Sequence, residues 1–413
     1  MRKMKDSGVE WIGEIPEEWE CTRLKFTFDD SNVGESVDKE FYSSDTEGYV
    51  FYTAGANPVG TSYTEFPEWK YTSYNDILLA RNGTPYVYLP SEGAVYSDHI
   101  IRIGIKNGYD KRFIRYCLQR SIEAVVVETV SIATWSISLW KEQNIPLPSY
   151  ENQKRIAEYL DSKCSKIDAI IARQEEIIEK LKEYKLSVIT EAVTKGLDPD
   201  VEMKDSGVKW LSDIPVHWKT YRIANLYDQT SEAGLEELPI LTVSINTGIS
   251  DRELADDEKD RVFVRSEDRT KYKRVRPGDL AYNMMRAWQG AFGAVRVDGM
   301  VSPAYVTCRP KAEAKIDSRY IEYLFRTPIA IEEMHRYSHG IADFRLRLYW
   351  PEFKNIRLCL PPIEEQKEIA DFIDKKSMMI DATIEQRERA VAKLQEYKKS
   401  LIYEVVTGKK EVL

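Results

Sequence analysis

The chain has 413 residues, of which 43% are hydrophobic, 31% charged and 11% aromatic; that is enough for more than one sizeable core and excludes extended disorder. Fifty-nine lysines and arginines against 68 acids leave a net charge of −9, so nothing global advertises nucleic acid, and any such surface must be local. The least polar stretch, 124–138, is broken by Glu128 and falls short of a membrane helix, the start lacks the apolar segment of a secretory signal, and five cysteines with no C-x-x-C pair suit reduced cytoplasmic thiols.

Taken in order, the chain shows one frame twice. Residues 4–11, Met-Lys-Asp-Ser-Gly-Val-Glu-Trp, return at 203–210 with Lys209 in place of the glutamate, and each copy continues to Ile-Pro and a second tryptophan, Trp19 or Trp218. These tryptophans either dock partners or anchor cores. A first insert follows, about 21–146. At 74–83 a turn carrying Asp76 runs into a short apolar strand, and at 109–118 a short helix is expected behind Asp110, whose carboxylate can cap free amides. Leu147-Pro148 then opens a stretch in which residues 151–194 contain neither Gly nor Pro and apolar residues recur at helical spacing.

Heptads numbered from Leu160 place Leu160, Ile167, Gln174 and Leu181 at one seam position, with Ile170 and Ile177 at the other. The frame then recurs, with a longer insert at about 219–359. Asp279 and Asp317 stand where Asp76 and Asp110 stand in the first copy. The final stretch carries Ile373, Ile380, Arg387 and Leu394 at the seam, Ile384 and Val391 beside it, and Gly408 at its exit, as Gly196 ends the first helix. About 40 residues at ~1.5 Å each make an arm of ~60 Å. One arrangement packs each helix on its own domain; the other pairs the arms antiparallel, Gln174 and Arg387 helping to set register, and gives the chain pseudo-twofold symmetry. The expected fold is α+β: two α/β domains separated by two long helices packed as an antiparallel coiled-coil pair. The divisions fall at 1–146, 147–199, 200–359 and 360–413.

The whole chain resembles the specificity subunit of Type I restriction-modification systems. The resemblance rests on the duplication and on the motif Leu-Pro-Pro-x-x-Glu-Gln-x-x-Ile-Ala, seen at 360–370 and less fully at 147–157. The run Asn283, Met284, Met285, Arg286, Ala287, Trp288, Gln289, Gly290 also looks like the family, whereas the first insert departs from it with Arg81, Asn82, Gly83. The resemblance implies two target recognition domains, a non-catalytic cytoplasmic subunit reading a bipartite double-stranded DNA sequence, and docked methyltransferase and restriction subunits. S-adenosylmethionine, ATP and Mg²⁺ then belong to those partners, with no cofactor in this chain and no membrane association.

Local charge offers places for DNA. Residues 261–276 hold seven basic side chains against Glu267 and Asp268, and residues 102–120 hold six against Asp110. Lys271, Lys273, Arg274 and Arg276 in the second insert, and Arg102, Lys111 and Arg112 in the first, are expected at phosphates, unless these stretches are merely solvated. Arg286, Gln289, Arg81 and Asn82 are the candidate base readers, because arginine pairs bidentately with guanine and asparagine or glutamine with adenine. Trp288 suits either DNA contact or a core. Residues 338–347, matching 131–136 in position, suit either domain packing or DNA contact.

Enzyme chemistry finds little support. There is no phosphate-binding loop, no G-x-G-x-x-G and no polar-Pro-Pro-aromatic motif of amino-methyltransferases. Asp200, Glu202 and Lys204 only superficially suggest a nuclease, and His335 with His339 lacks an evident third metal ligand. The rival to DNA reading is a two-headed scaffold for protein partners.

Overall fold

The computed structural model describes residues 2–43, 48–82, 85–126, 134–245, 247–254, 269–340 and 346–412. The chain forms two compact units, Met1–Glu175 with Glu388–Leu413, and Glu176–Arg387. The units therefore divide each long helix between them instead of leaving the helices as separate bodies.

The first unit is built on a four-stranded antiparallel sheet ordered Phe28–Val33, Ile100–Ile105, Asp76–Ala80, Val87–Tyr88. Ile77, Leu78, Leu79 and Ala80 are all fully buried, which is why this strand reads as a continuous apolar run and not as an alternation. The helix Lys111–Val126 covers one face with Phe113, Ile114, Cys117 and Leu118. Aromatic residues hold a second sheet, in which Phe51 and Phe66 pack with Tyr42, Tyr49 and Tyr71.

The second unit repeats the strand order: Tyr227–Thr230, Tyr305–Pro310, Leu280–Asn283, Phe292–Ala294. Its covering helix is Ser318–Phe325, started by Asp317, whose side chain accepts from the Arg319 N–H. Around them Tyr282, Phe292, Phe325 and Phe353 interlock with ring centroids 4.9–6.0 Å apart. A smaller sheet orders Glu232–Ala233, Lys273–Val275 and Gly299–Val301.

The long helices run Tyr150–Lys195 and Ile363–Val406. In the first unit Leu160, Cys164 and Ile167 pack with Leu401, Ile402 and Val405, and Lys398 bonds Asp168 at 2.6 Å. In the second, Ile178 packs with Ile380 and Ile384, with Leu181 beside them, and Lys185 bonds Asp381 at 2.6 Å. Asp168 and Asp381 hold the same place in the two copies, as do Lys185 and Lys398, so each lysine meets the other copy's aspartate. The helices are antiparallel in both units. One of the two seam positions holds, with Leu160, Ile167, Leu181, Ile373, Ile380 and Leu394 packed as expected, but the other lies one residue away: Ile171 and Ile178 take the inner places expected of Ile170 and Ile177, and Ile170 is 47% exposed. Ile384 and Val391, expected beside the seam, are buried in it. Gln174 and Arg387 are half-buried on their own helices.

Each helix end is received by one of the repeated segments. Gly196 and Gly408 close the helices with φ of +81° and +72°, a conformation that only glycine adopts cheaply. Gly196 lies against Pro215 and Trp218; Gly408 lies against Pro16 and Trp19, where a Cβ would come within 2.6 Å of the proline ring. Trp19 and Trp218 are 2% and 1% exposed, so these tryptophans anchor cores. Among the described residues no helix is long and apolar enough to cross a membrane, and all five cysteines are free thiols.

Candidate functional site

The glutamine of the Leu-Pro motif ties each domain to its helix. Gln153 Oε1 accepts from the Asp110 N–H at 3.0 Å while its amide donates to the Pro148 carbonyl; Gln366 does the same for Asp317 and Pro361. Both glutamines are buried, at 2% and 1% exposure. Beside them Arg112 bridges Asp110 and Asp161, and Arg319 bridges Asp317, Asp371 and Asp374. Tyr116 and Tyr323 complete the two clamps on Asp161 and Asp374. Arg112 is therefore occupied within the fold, in contrast to the phosphate contact expected of it.

Other expected phosphate contacts are likewise occupied. Arg102 crosses from its strand to Asp76 and Asp30, its side chain 13% exposed and that of Asp76 only 2%. Arg309 makes the matching pair with Asp279 and also holds Glu232. Burial raises the Asp76 carboxyl pKa despite Arg102, whereas the Arg309 hydrogen bond lowers that of Glu232. Arg274 pairs with Asp298 at 3.3 Å and Arg276 with Glu232 at 2.8 Å. Lys273 donates to the Tyr305 carbonyl at 2.6 Å, and burial pushes its ammonium pKa down. Lys111 donates to the Tyr74 carbonyl and lies over that ring. Lys271 sits at the end of a short turn with interactions of its own. Arg261 and Arg265 lie outside the described residues. The charge runs thus serve largely to join strands and helices, because the fold places carboxylates beside them.

Two loops differ. In the second unit the strand Leu280–Asn283 ends in a tight loop closed by the Arg286 N–H on the Asn283 carbonyl, the Gly290 N–H on Ala287 and the Ala291 N–H on Arg286. Gly290 turns the chain at φ +93°. Arg286, Trp288 and Gln289 project half-buried from it, and Met285 is 44% exposed. Arg286 Nε donates to Gln289 Oε1 at 3.0 Å. Trp288 donates to the Met285 carbonyl and sets its ring against His335, 5.6 Å between centroids. The segment expected at 338–347 returns beside this loop: His339 and Arg347 exchange backbone hydrogen bonds, and the Leu348 N–H donates to the Met284 carbonyl at 2.8 Å. Residues 341–345 lie outside the described part.

In the first unit the corresponding strand Asp76–Ala80 runs into Arg81 and Asn82. The Arg81 carbonyl accepts from the Trp135 N–H at 2.7 Å, the counterpart of Leu348 on Met284. Asn82 Nδ2 lies 2.8 Å from His99 Nδ1. Gly83 and residues 131–133 lie outside the described part. Neither Arg81 nor Arg286 has a carboxylate partner among the described residues. No three His, Cys, Asp or Glu residues gather as metal ligands among them either.

Residues 16–183 match the family described as the Type I restriction modification DNA specificity domain. The chain is 25% identical to the Type I restriction enzyme EcoBI specificity subunit of Escherichia coli, over 86% of this chain and 76% of that one. It is 23% identical to the MjaVIII specificity subunit of Methanocaldococcus jannaschii, over 96% and 93% of the two chains. Over these spans the chain is similar to Type I restriction enzyme specificity subunits. The fold agrees: a solved chain from work on complex assembly and conformational transition of the type I R-M system superposes with a TM-score of 0.65, covering 96% of this chain and 99% of that one at 15% identity.

The sequence does not single out His99, Tyr305 or Tyr349 as site residues. His99 comes beside Asn82 because Ile100 pairs with Ala80 across the sheet, a register not written in either segment. Tyr305 is 9% exposed and close enough to Arg286 for that charge to favour its phenolate, although burial raises its pKa overall. Tyr349 Oη accepts from Arg347. The two histidines weighed as a metal pair are otherwise engaged, His335 by the Trp288 ring and His339 by the backbone of Arg347.

Proposed function

We propose that this chain reads a two-part sequence in double-stranded DNA, one part with the loop at Arg81 and Asn82 and the other with the loop from Met284 to Gly290. In that role it places methyltransferase and restriction subunits on their target, and the S-adenosylmethionine, ATP and Mg²⁺ of the reactions belong to those partners. One observation carries the reading above all. Just past the equivalent strand of two sheets with the same strand order, each unit presents an arginine with no carboxylate partner among the described residues, Arg81 directly after its strand and Arg286 two positions further along, while many other basic residues of the inserts are paired. An arginine left uncompensated on a half-exposed, hydrogen-bonded loop suits a ligand that supplies its own acceptors, as base edges do. The paired residues retain exposed parts that suit positioning along the backbone. The net charge of −9 goes with weak non-specific binding by the isolated chain.

The reading is tested by mapping methylated sites in DNA from cells that express this chain with its methyltransferase partner, against cells lacking only this chain. A new two-part motif with a fixed unread gap is expected. A methyltransferase complex that forms and is competent, yet shows no motif dependent on this chain, would favour the protein-scaffold alternative instead.

A further inference from the structure

The contact between Arg286 and Gln289 restricts which base edge the second loop can accept. Nε of arginine can only donate, so the amide atom that faces it at 3.0 Å is necessarily the oxygen. Gln289 has thereby committed an acceptor lone pair to its neighbour and turns its NH₂ group elsewhere. Arg286 keeps both terminal NH₂ groups. The surface the pair offers is dominated by donors.

Base edges in the major groove are not equivalent toward such a surface. Guanine presents two acceptors, N7 and O6, whereas adenine presents one acceptor and one donor, so an adenine reader needs a side chain that both donates and accepts. A glutamine on its own meets that need; beside Arg286, Gln289 keeps one oxygen lone pair and its NH₂, but the pair as a whole carries far more donors than acceptors and so fits guanine better. The loop is also fixed in advance of binding: its backbone is closed by hydrogen bonds on Asn283, Ala287 and Arg286, and Trp288 is pinned by Met285 and His335. Arg274, Arg276, Arg309 and Arg326 have carboxylate partners, whereas Arg347 beside the loop meets the Tyr349 hydroxyl. Arg286 has no carboxylate partner among the described residues.

We infer, resting on the DNA-reading role proposed above, that Arg286 and Gln289 act as one unit that selects a guanine in the half-site of the second unit. Arg286 supplies the paired donors to N7 and O6. Gln289 is the positioning residue, holding the guanidinium plane through Nε and contributing an amide donor at its edge.

The test compares methylation motifs from cells carrying the partner methyltransferase with the wild-type chain, Arg286→Lys or Gln289→Glu. Lysine keeps the charge but loses the planar fork. Glutamate keeps the acceptor for Nε, removes the amide donors and neutralises the guanidinium. Both variants are expected to relax one guanine position in one half-site, by about ten- to a hundredfold in preference, with the other half-site still required. Retention of the other half-site shows that the complex has folded and assembled. A two-part motif with no guanine in either half, or a guanine requirement that survives both substitutions, overturns this inference and leaves the DNA-reading role standing. The absence of any motif dependent on the wild-type chain overturns both.

Discussion

Arg102 and Arg309 lie on corresponding strands two register positions apart, and each is committed to the buried aspartate at the start of the neighbouring strand, Asp76 or Asp279. A buried carboxylate without its cation is costly, because desolvation is no longer offset. Arg102→Ala is therefore expected to lower stability by about 3 kcal/mol, seen as a shift of the denaturant midpoint, while the bases selected stay the same. An unchanged midpoint with a relaxed base would return Arg102 to the DNA-contact role expected from its charge. The sequence makes the acidic half of these pairs visible, since Asp76 and Asp279 occupy the same turn-to-strand signature. The basic half is not legible, because the partner lies on a non-adjacent segment joined only by sheet pairing. The same holds for His99 beside Asn82. Reader candidates could be named from residue type and a glycine nearby, but which cations remain available depends on where the folded chain sets its carboxylates.

At the scale of elements, the long helices were legible in extent and in antiparallel pairing, and their caps at Gly196 and Gly408 lie where the pattern ends. One seam position was legible too, at Leu160, Ile167 and Ile380, but the other was not. Ile170 is followed by Ile171 and Ile177 by Ile178, so two seams one residue apart carry the same residue type in this part of the helix. Cys164 on the inner face and exposed Lys163 at the expected position settle it in the structure. Ile178→Ala is expected to cost about 2–4 kcal/mol by removing buried side-chain volume, against less than about 0.5 kcal/mol for Ile170→Ala. Thermal unfolding of the two variants side by side distinguishes the phases: a larger loss at Ile170 would restore the original register. The Gln153 and Gln366 clamps show a motif whose conspicuous residues serve architecture, holding the first turn of each long helix to the cap of the short helix on its domain.

For the whole molecule, duplication explains how units of one design can differ in what they bind. Each unit draws on a repeated leading segment, an insert, and part of each long helix, and the contacts among frame residues recur: glutamine on aspartate, arginine on the helix aspartates, lysine on the other copy's aspartate. The inserts keep the strand order and change the loops, Arg81 and Asn82 in one and Arg286, Trp288 and Gln289 in the other. In the proposed role, such a molecule reads its two half-sites independently. This independence is tested most directly by mapping the methylated motifs of complexes containing the Arg81→Ala and the Arg286→Ala chains. Arg81→Ala is predicted to relax one half-site only, and Arg286→Ala the other only, with the unread gap unchanged in both. Relaxation of the same half-site by both substitutions, or of neither, would contradict the account.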